Sequence, residues 1–262
     1  MGAMNSTHSP SSSHSNAPAT AAACLDAGPA AVADPAASER HLRIDFVSDV
    51  ACPWCGVGLG ALQAALARVA PGITAELHFQ PFELNPQLGP EGQDTLEHLT
   101  QKYGISAAQA RANAEVIRER GAAVGFTFNP DRRSRVWNTF DAHRLLHWAE
   151  LQGPAQQLAL KKALLKSYLS DGENPSDPAV LLRLVGETGL DTEQARAILA
   201  SDTCADATRQ REKQYLDAGI RSVPAIILDR QHLISGGQPV EVFENALRQV
   251  AGMARTTTPA QD

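Results

Sequence analysis

Two kinds of hydrophobic pattern alternate along this chain and predict an α/β architecture. Apolar and polar positions alternate over residues 42–49 and again over 74–82, which predicts two strands. Between them, residues 53–69 carry apolar side chains at helical spacing, and Pro53 suits the first turn of a helix because its φ is fixed. A strand, a helix and a strand within this length predict a parallel pair of strands with a right-handed crossover.

The middle of the chain has helical spacing almost throughout. The helices predicted there cover residues 94–103, 106–124, 136–152, 155–170, 178–188 and 192–199. Beyond this block, the pattern predicts a helix, two short strands that form a hairpin, and a last helix, over residues 205–218, 223–229, 232–235 and 239–250. The segments that flank the helical block therefore follow the orders β-α-β and α-β-β-α.

These patterns divide the chain into parts of different character. We expect one α/β domain built from residues 41–88 and 202–252, with an all-helical domain, 89–201, inserted between its two halves. Residues 1–40 are rich in Ser, Ala and Pro and cannot bury much apolar surface, so we expect a disordered extension there. Residues 253–262 are expected to form a flexible tail.

The charge and hydropathy of the chain exclude several classes of partner. The formal net charge is -6 and no long basic run occurs, so neither nucleic acid nor an anionic membrane surface is expected to bind. No apolar stretch reaches the ~20 residues that span a bilayer. The N-terminal region also lacks the basic start and apolar centre of a secretory signal. We therefore expect a cytoplasmic protein, monomeric or dimeric, in a compartment that keeps most thiols reduced.

Cys52-Pro53-Trp54-Cys55 carries the chemistry that the sequence predicts. The motif lies between the first strand and the first helix, where unpaired N–H groups and the helix dipole favour a thiolate over a thiol. Cys52 is nearer the helix start and is expected to be more exposed, so it is the predicted nucleophile, with Cys55 as the resolving thiol. Pro53 and Trp54 are expected to tune the redox poise by packing. Without a histidine between the cysteines, a less oxidising pair is expected.

Three other interpretations of the motif are weaker. A zinc site needs four ligands, and no second pair of cysteines follows, although His143 and His147 share one face of a predicted helix. Residues 56–61 match the G-x-G-x-x-A pattern of dinucleotide sites. Because these glycines come well after the end of the strand, we predict close packing of the first helix instead. A structural disulfide is disfavoured in a cytoplasmic chain. The residues therefore favour a redox-active dithiol without a metal.

Several segments of the chain occur in a characteristic order. They are residues 48–55 (SDVACPWC), 81–86 (PFELNP), 138–144 (NTFDAHR), 219–224 (GIRSVP) and 234–239 (ISGGQP). Together they resemble the FrnE branch of the DsbA family of dithiol–disulfide oxidoreductases, over about residues 42–251. The resemblance implies a thioredoxin-like fold interrupted by a helical domain, and an oxidoreductase or isomerase activity on protein thiols.

Pro224 opens the predicted third strand, a position that suits a residue without a backbone N–H. The resemblance implies that the Val223–Pro224 bond is cis and lies beside the two thiols, with the Val223 backbone free to pair with an extended substrate. It also implies a substrate groove lined by Trp54, Phe82 and Val223. Further candidates lie in the helical block, where packing between helices would explain them equally well: Trp137, Asn138 and His143.

The sequence therefore predicts a thiol–disulfide oxidoreductase or isomerase that acts on disulfide-containing proteins, peptides or small molecules. No bound cofactor is expected, and the reductant would be a thiol such as thioredoxin, or glutathione as a co-substrate. One alternative is a glutathione-dependent enzyme, because the superfamily includes 2-hydroxychromene-2-carboxylate isomerases and kappa-class glutathione transferases, which typically have Ser where Cys52 stands. A second alternative is a peptide-binding chaperone module. Cys24 and Cys204 form no second C-x-x-C, which disfavours a mechanism with another internal dithiol.

Overall fold

Strands and helices follow the predicted order at both ends of the folded chain. The computed structural model describes residues 39–252. In chain order the elements are β1 (Arg40–Ser48), α1 (Pro53–Val69), β2 (Ile73–Pro81), β3 (Gln93–Asp94), α2 (Thr95–Tyr103), α3 (Ala107–Ala122), β4 (Arg135–Val136), α4 (Phe140–Gln152), α5 (Pro154–Leu169), α6 (Pro178–Glu187), α7 (Thr192–Leu199), α8 (Ala205–Asp217), β5 (Ala225–Leu228), β6 (His232–Ser235) and α9 (Val240–Val250).

β1 lies inside a mixed sheet with the strand order β2-β1-β5-β6. It pairs in parallel with β2, as the strand–helix–strand prediction requires. On its other side it pairs antiparallel with β5, which forms the predicted hairpin with β6. The crossover helix α1 has the predicted bounds, Pro53–Val69. The α/β order that the hydrophobic pattern predicts is therefore confirmed.

Alternation along β1 sends its side chains into two separate cores. Ile44 and Phe46 pack with α1 and with Phe243 of α9 in one cluster. Val47 points to the opposite face, where it packs with Phe82 beneath side chains of α8. Because successive side chains of a strand point to opposite faces, Val47 lies on the face opposite to Ile44 and Phe46.

The helices between β2 and α8 form a third cluster. α4, α5, α6 and α7 contribute most of its buried residues, and Val50 from the turn after β1 inserts into it. α5 also reaches the sheet, because Leu165, Tyr168 and Leu169 belong to the core of β1 and α1. The helical segment thus packs directly against the junction that carries the cysteines. Its predicted status as an inserted domain, 89–201, stays a prediction.

Two predicted elements are shorter in the structure than the pattern indicates. The helix expected from residue 136 begins at Phe140, because Arg135–Val136 pairs with Gln93–Asp94 in a small second sheet. The third predicted strand is limited to Ala225–Leu228, since Asp229 already adopts a left-handed turn conformation with a φ of 47°. Both differences arise from pairing and turn geometry that hydrophobic periodicity does not report.

Some predictions fall on residues that the structure does not describe. These are the disordered extension, apart from its last two residues, the flexible tail 253–262, and the role of Cys24. Arg40, which the prediction assigns to the extension, belongs to β1. Within residues 39–252, no helix combines the length and the apolar character that crossing a membrane requires.

Candidate active site

Cys52 and Cys55 occupy the junction between β1 and α1. Cys52 is the N-cap residue of α1, and Cys55 lies within the first turn of the helix. Cys52 is 5% exposed and Cys55 is fully buried, so the first sulfur is the more accessible one. Both are free thiols. This order of accessibility suits a nucleophile followed by a resolving thiol.

The two thiols have opposite pKa shifts. Hydrogen bonding from the Cys55 thiol lowers the pKa of Cys52 against the opposing effect of burial, and the backbone N–H groups of Cys55 and Trp54 lower it further. Burial raises the pKa of Cys55 well above its ordinary value, and the neighbouring Cys52 sulfur adds to this rise. Cys52 therefore ionises first, while Cys55 retains its proton.

The Val223–Pro224 segment lies against Cys52 at the start of β5. The peptide bond between these two residues is cis, as the family resemblance implies. The Cys52 thiol donates to the carbonyl oxygen of Val223, with the Sγ 3.6 Å from that oxygen. Gly58 of α1 lies beside Pro224, because a Cβ at Gly58 would be 3.2 Å from the Pro224 Cγ. The fold thus brings together residues from both ends of the described chain.

Trp54 forms the rim of the site together with Arg120 of α3. Pro53 and Trp54 are both partly exposed between the cysteines. The Arg120 guanidinium lies 5.3 Å from the centre of the Trp54 ring, and its Nη2 donates to the Gly237 carbonyl at 2.9 Å. Gly237 also packs on the motif, since a Cβ there would come within 3.0 Å of the Trp54 carbonyl oxygen. Arg120 therefore connects α3, the motif and the loop after β6.

The remaining residues proposed for the groove have supporting positions. Phe82 is 8% exposed and belongs to the cluster against which Val223 packs. Trp137 packs edge-on against the Tyr168 ring. Asn138 is hydrogen-bonded to the loop that follows β2. The structure places Phe82 in a packed cluster beside Val223, and its predicted contact with substrate stays a prediction.

A buried carboxylate and a buried imidazole lie side by side behind the motif. The side chains of Asp49 and His143 are 0% and 2% exposed, and the His143 Nε2 lies 3.4 Å from the Asp49 Oδ1. Asp49 also accepts the N–H groups of Ala51 at 3.0 Å and Leu84 at 2.7 Å. Burial by itself would raise the pKa of Asp49, but His143 and these two N–H groups bring it below its ordinary value. A charged carboxylate thus holds the turn before Cys52.

The sequence matches known proteins over most of its length. The profile of the DSBA-like thioredoxin domain matches residues 43–248. This chain belongs to the DsbA-like thioredoxin-domain family. The structure of a probable DsbA oxidoreductase from Streptomyces coelicolor is 36% identical and superimposes with a TM-score of 0.74, covering 85% of this chain and 94% of that one. The resemblance to the DsbA family and the thioredoxin-like fold are confirmed, and the FrnE branch stays a prediction.

More distant relatives of this DsbA-like protein match it over nearly their whole length. The uncharacterized protein YwbO of Bacillus subtilis is 26% identical over 207 residues, which are 79% of this chain and 96% of that protein. The cytosolic disulfide reductase DsbM from Pseudomonas aeruginosa, solved with GSH, is 17% identical with a TM-score of 0.54, over 80% of this chain and 100% of that one. The likeness to DsbM shows the fold, and membership of the family makes this a DsbA-like thiol–disulfide oxidoreductase in class.

A buried arginine of the DsbA-like domain supports the turn before the motif. Arg133 is 8% exposed and donates from Nη2 to the Ala51 carbonyl at 3.3 Å and from Nε to the Tyr168 hydroxyl at 2.9 Å. Its guanidinium also lies 5.0 Å from the centre of the Tyr168 ring. The loop before β4 and helix α5 thereby fix the peptide group directly before Cys52.

His143 and His147, the two histidines considered as zinc ligands, do not lie in a cluster of metal-binding side chains within the described residues. His143 is the partner of Asp49, and His147, whose pKa burial lowers, is half-buried on the same helix. Among residues 39–252, no three His, Cys, Asp or Glu side chains are grouped so as to hold a metal ion. Cys204 precedes α8, is half-buried and is a free thiol.

The glycines of the dinucleotide-like pattern are close-packing positions, as predicted. A Cβ at Gly56 would lie 2.3 Å from the ring of Phe126. A Cβ at Gly60 would lie 2.8 Å from the carbonyl oxygen of Val124. The loop after α3 therefore rests directly on the glycine face of α1, and these glycines do not form a phosphate-binding turn.

Sequence reasoning missed two buried polar residues of α5. Gln157 and Lys161 are both 0% exposed. They lie one turn apart on the helix face that also carries Leu160 and Leu164. The sequence does contain a signal for them, since two polar residues spaced i, i+4 interrupt an apolar helix face. Such residues are rarely buried without a partner, so their position predicts specific contacts in the core.

Proposed function

We propose that this protein is a thiol–disulfide oxidoreductase that uses Cys52 as nucleophile and Cys55 as resolving thiol on protein or small-molecule disulfides. The observation that carries the proposal is the position of the Cys52 sulfur, which lies at a helix start 3.6 Å from the Val223 carbonyl oxygen. Its lowered pKa, beside the raised pKa of Cys55, favours attack by the first sulfur.

The reaction would consist of two exchanges. The Cys52 thiolate attacks one sulfur of the substrate disulfide, and the other substrate sulfur leaves as a thiolate. Cys55 then loses its proton and attacks the Cys52 sulfur, which releases the remaining substrate thiolate and forms a Cys52–Cys55 disulfide. A thiol reductant such as glutathione or thioredoxin restores the dithiol.

Substrate binding is proposed on the surface around Cys52, which combines aromatic and cationic groups. Tyr103 is 54% exposed, and Trp54 is partly exposed. Burial raises the pKa of Tyr103, and the charge of Cys52 adds to that rise. Burial lowers the pKa of Lys102, and the charge of Cys52 opposes that change. The charge of Cys52 thus reaches both side chains at the end of α2, and a rim that combines them with Trp54 suits peptides that carry carboxylates.

Glutathione is the proposed small co-substrate. DsbM, which shares the fold, was solved with GSH. Glutathione carries two carboxylates, and Lys102 and Arg120 are the cations proposed to receive them. A cytoplasmic location, where the glutathione pool keeps thiols reduced, is part of the same proposal.

Reduction of insulin tests the proposed chemistry. With glutathione or dithiothreitol, the wild-type protein is expected to accelerate insulin precipitation, because each turnover breaks a disulfide. Cys52→Ser is expected to be inactive, and Cys55→Ser to stall as a mixed disulfide that mass spectrometry detects. Cys204→Ser is the matched control and should retain activity. An inactive wild-type protein, or activity that survives Cys52→Ser, would contradict the proposal.

Two other outcomes would point to the alternatives. Turnover that requires glutathione and survives Cys55→Ser would indicate a glutathione-dependent isomerase or transferase. Suppressed aggregation of an unfolded client that persists when both cysteines are Ser would indicate a chaperone module.

The direction of the redox reaction follows from a redox titration of the Cys52–Cys55 dithiol. We expect a reduction potential nearer to about -270 mV than to about -120 mV.

A further inference from the structure

A groove of about 1010 Å³ lies between helices α1 and α5 and the loop that follows α3. We call it the α1–α5 groove. Its volume is at the upper end of the range of small-molecule sites, about 300–1000 Å³. Cys52, Trp54 and Val223 are not among its lining residues, so it is distinct from the surface around the dithiol. The proposed redox reaction gives this groove no role.

The part of the α1–α5 groove beside α1 is apolar. Leu59 and Ala64 of the helix line it, together with Val124 and Phe126 of the loop. The loop lies directly on the helix, because a Cβ at Gly60 would be 2.9 Å from the Val124 Cγ2. Ala64, Val124 and Phe126 are only half-buried, so an apolar occupant would remove further apolar surface from water.

Three exposed cations also line the α1–α5 groove: Lys162 and Lys166 of α5 and Arg132 of the loop. The two lysines are spaced i, i+4 and therefore lie one turn apart on the same helix face. Asp171 is the one carboxylate of the lining, and it pairs with Lys166 at 2.5 Å. Arg132 and Lys162 form no salt bridge with a carboxylate of residues 39–252. The lining is thus positively charged in a chain whose formal net charge is -6.

Backbone contacts hold Arg132 at the end of α5 where Lys166 lies. The Asn129 N–H donates to the Leu169 carbonyl at 2.9 Å. A Cβ at Gly172 would lie 2.2 Å from the Arg132 carbonyl oxygen, so the loop meets the chain directly after α5. The cationic rim and the apolar wall are therefore fixed relative to each other before a ligand arrives, which lowers the cost of binding one.

We propose that the α1–α5 groove binds a small amphipathic organic anion. Its apolar body lies against α1 and the loop, and its carboxylate, sulfonate or phosphate group lies at the rim formed by Arg132, Lys162 and Lys166. The apolar wall disfavours an inorganic anion, and the unpaired cations favour a charged ligand over a neutral one. Because neither thiol lines the groove, the inference does not depend on the proposed function.

Two fluorescent probes that share one aromatic body test the proposal. Anilinonaphthalene sulfonate carries an anionic group, phenylnaphthylamine is uncharged, and both brighten in apolar surroundings. The sulfonate probe is expected to bind the full-length reduced protein saturably at one site. Lys162→Met should weaken it by about fivefold, the effect of one exposed ion pair, and leave the affinity of the neutral probe unchanged. Lys213→Met removes an exposed lysine of α8 and is the matched control that should alter neither affinity.

The apolar wall is tested by filling it. Ala64→Phe places a ring at a half-buried position of the wall and should weaken both probes while circular dichroism shows an intact fold. A folded Ala64→Phe protein with unchanged affinities would overturn the proposal. The same holds if Trp54→Ala releases the sulfonate probe and Lys162→Met does not, because the probe would then bind beside the dithiol. Absence of saturable binding to the wild-type protein would also overturn it.

Competition separates a small anion from larger occupants of the α1–α5 groove. Sodium laurate below its micelle concentration is expected to displace the sulfonate probe, because it combines a carboxylate with an apolar chain. Displacement by phosphatidylglycerol vesicles but not by laurate would indicate a membrane-binding face and overturn the proposal. A wild-type dimer that Lys162→Met dissociates in sedimentation velocity would do so too, since the groove would then bind a second copy of the chain.

Discussion

The carboxamide of Gln157 forms with Phe79 both hydrogen bonds that a neighbouring strand would form. Its Oε1 accepts the Phe79 N–H at 2.8 Å, and its Nε2 donates to the Phe79 carbonyl at 2.9 Å. β2 is an edge of the sheet, so these backbone groups would otherwise be buried without partners. A helix side chain thus completes the strand next to the cysteine site.

Replacement of Gln157 by Ala is expected to lower the free energy of unfolding by about 2–4 kcal/mol, because it leaves the buried N–H and C=O of Phe79 unpaired. Urea unfolding followed by circular dichroism measures this change. Gln156→Ala, one residue earlier and exposed, is the control and should change the free energy by less than about 0.5 kcal/mol. Equal effects of the two substitutions would contradict the bonding role of Gln157.

Asp49→Asn is expected to destabilise the protein at neutral pH by about 3 kcal/mol, because it removes the buried carboxylate that accepts the Ala51 and Leu84 N–H groups and lies beside His143. Although burial opposes it, His143 lowers the pKa of Asp49 in the folded state below the unfolded value of about 3.9. The stabilisation is therefore fully present above that value and is lost as pH falls through the folded-state pKa. Urea unfolding at neutral and acidic pH should show the gap between wild type and variant closing in acid.

The control for Asp49→Asn is Asp177→Asn. Asp177 caps α6 by accepting the Ala179 N–H, and Asn is an equally good N-cap residue, so little change is expected. A difference between Asp49→Asn and the wild type that stays constant down to strongly acidic pH would show that the charge of Asp49 is not the stabilising feature.

Removal of the Cys55 thiol should make Cys52 less acidic. Hydrogen bonding from Cys55 is the largest contribution to the lowered pKa of Cys52, so Cys55→Ala is expected to move the pH midpoint of Cys52 alkylation upwards. Cys55→Ser keeps a hydroxyl donor and should move it less. The rate of iodoacetamide modification against pH, read by mass spectrometry, gives both midpoints. Identical midpoints for wild type and Cys55→Ala would contradict this account of the thiolate.

Gly60→Ala is expected to destabilise the fold by about 1–3 kcal/mol, because the new methyl group would lie 2.8 Å from the backbone carbonyl of Val124. Gly186→Ala adds the same group to an exposed helix position, where the nearest atom is the Thr192 methyl at 3.2 Å. It should be neutral or stabilising through helix propensity. Thermal unfolding of both variants is the measurement, and a stabilised Gly60→Ala would show that the loop after α3 does not rest on α1.

The sequence by itself determined the elements that depend on local pattern. The bounds of α1, the parallel pair β1–β2 and the hairpin β5–β6 follow from periodicity and from residues such as Pro53 that suit one position in a helix. The expectation that Cys52 has the lower pKa of the two thiols follows as well. Cys52 is closer than Cys55 to the start of α1, where the unpaired N–H groups lie. These inferences need only neighbours along the chain.

Only the tertiary structure decided what surrounds the dithiol. Asp49 meets His143, and Lys161 lowers the pKa of Cys55, across about a hundred residues of chain, so no local pattern could place them together. Phe82 shows the same limit, because only the structure shows that it packs in one cluster with side chains of α8. The polarity of a buried site depends on which distant side chains share a volume that excludes water, and folding alone brings them there.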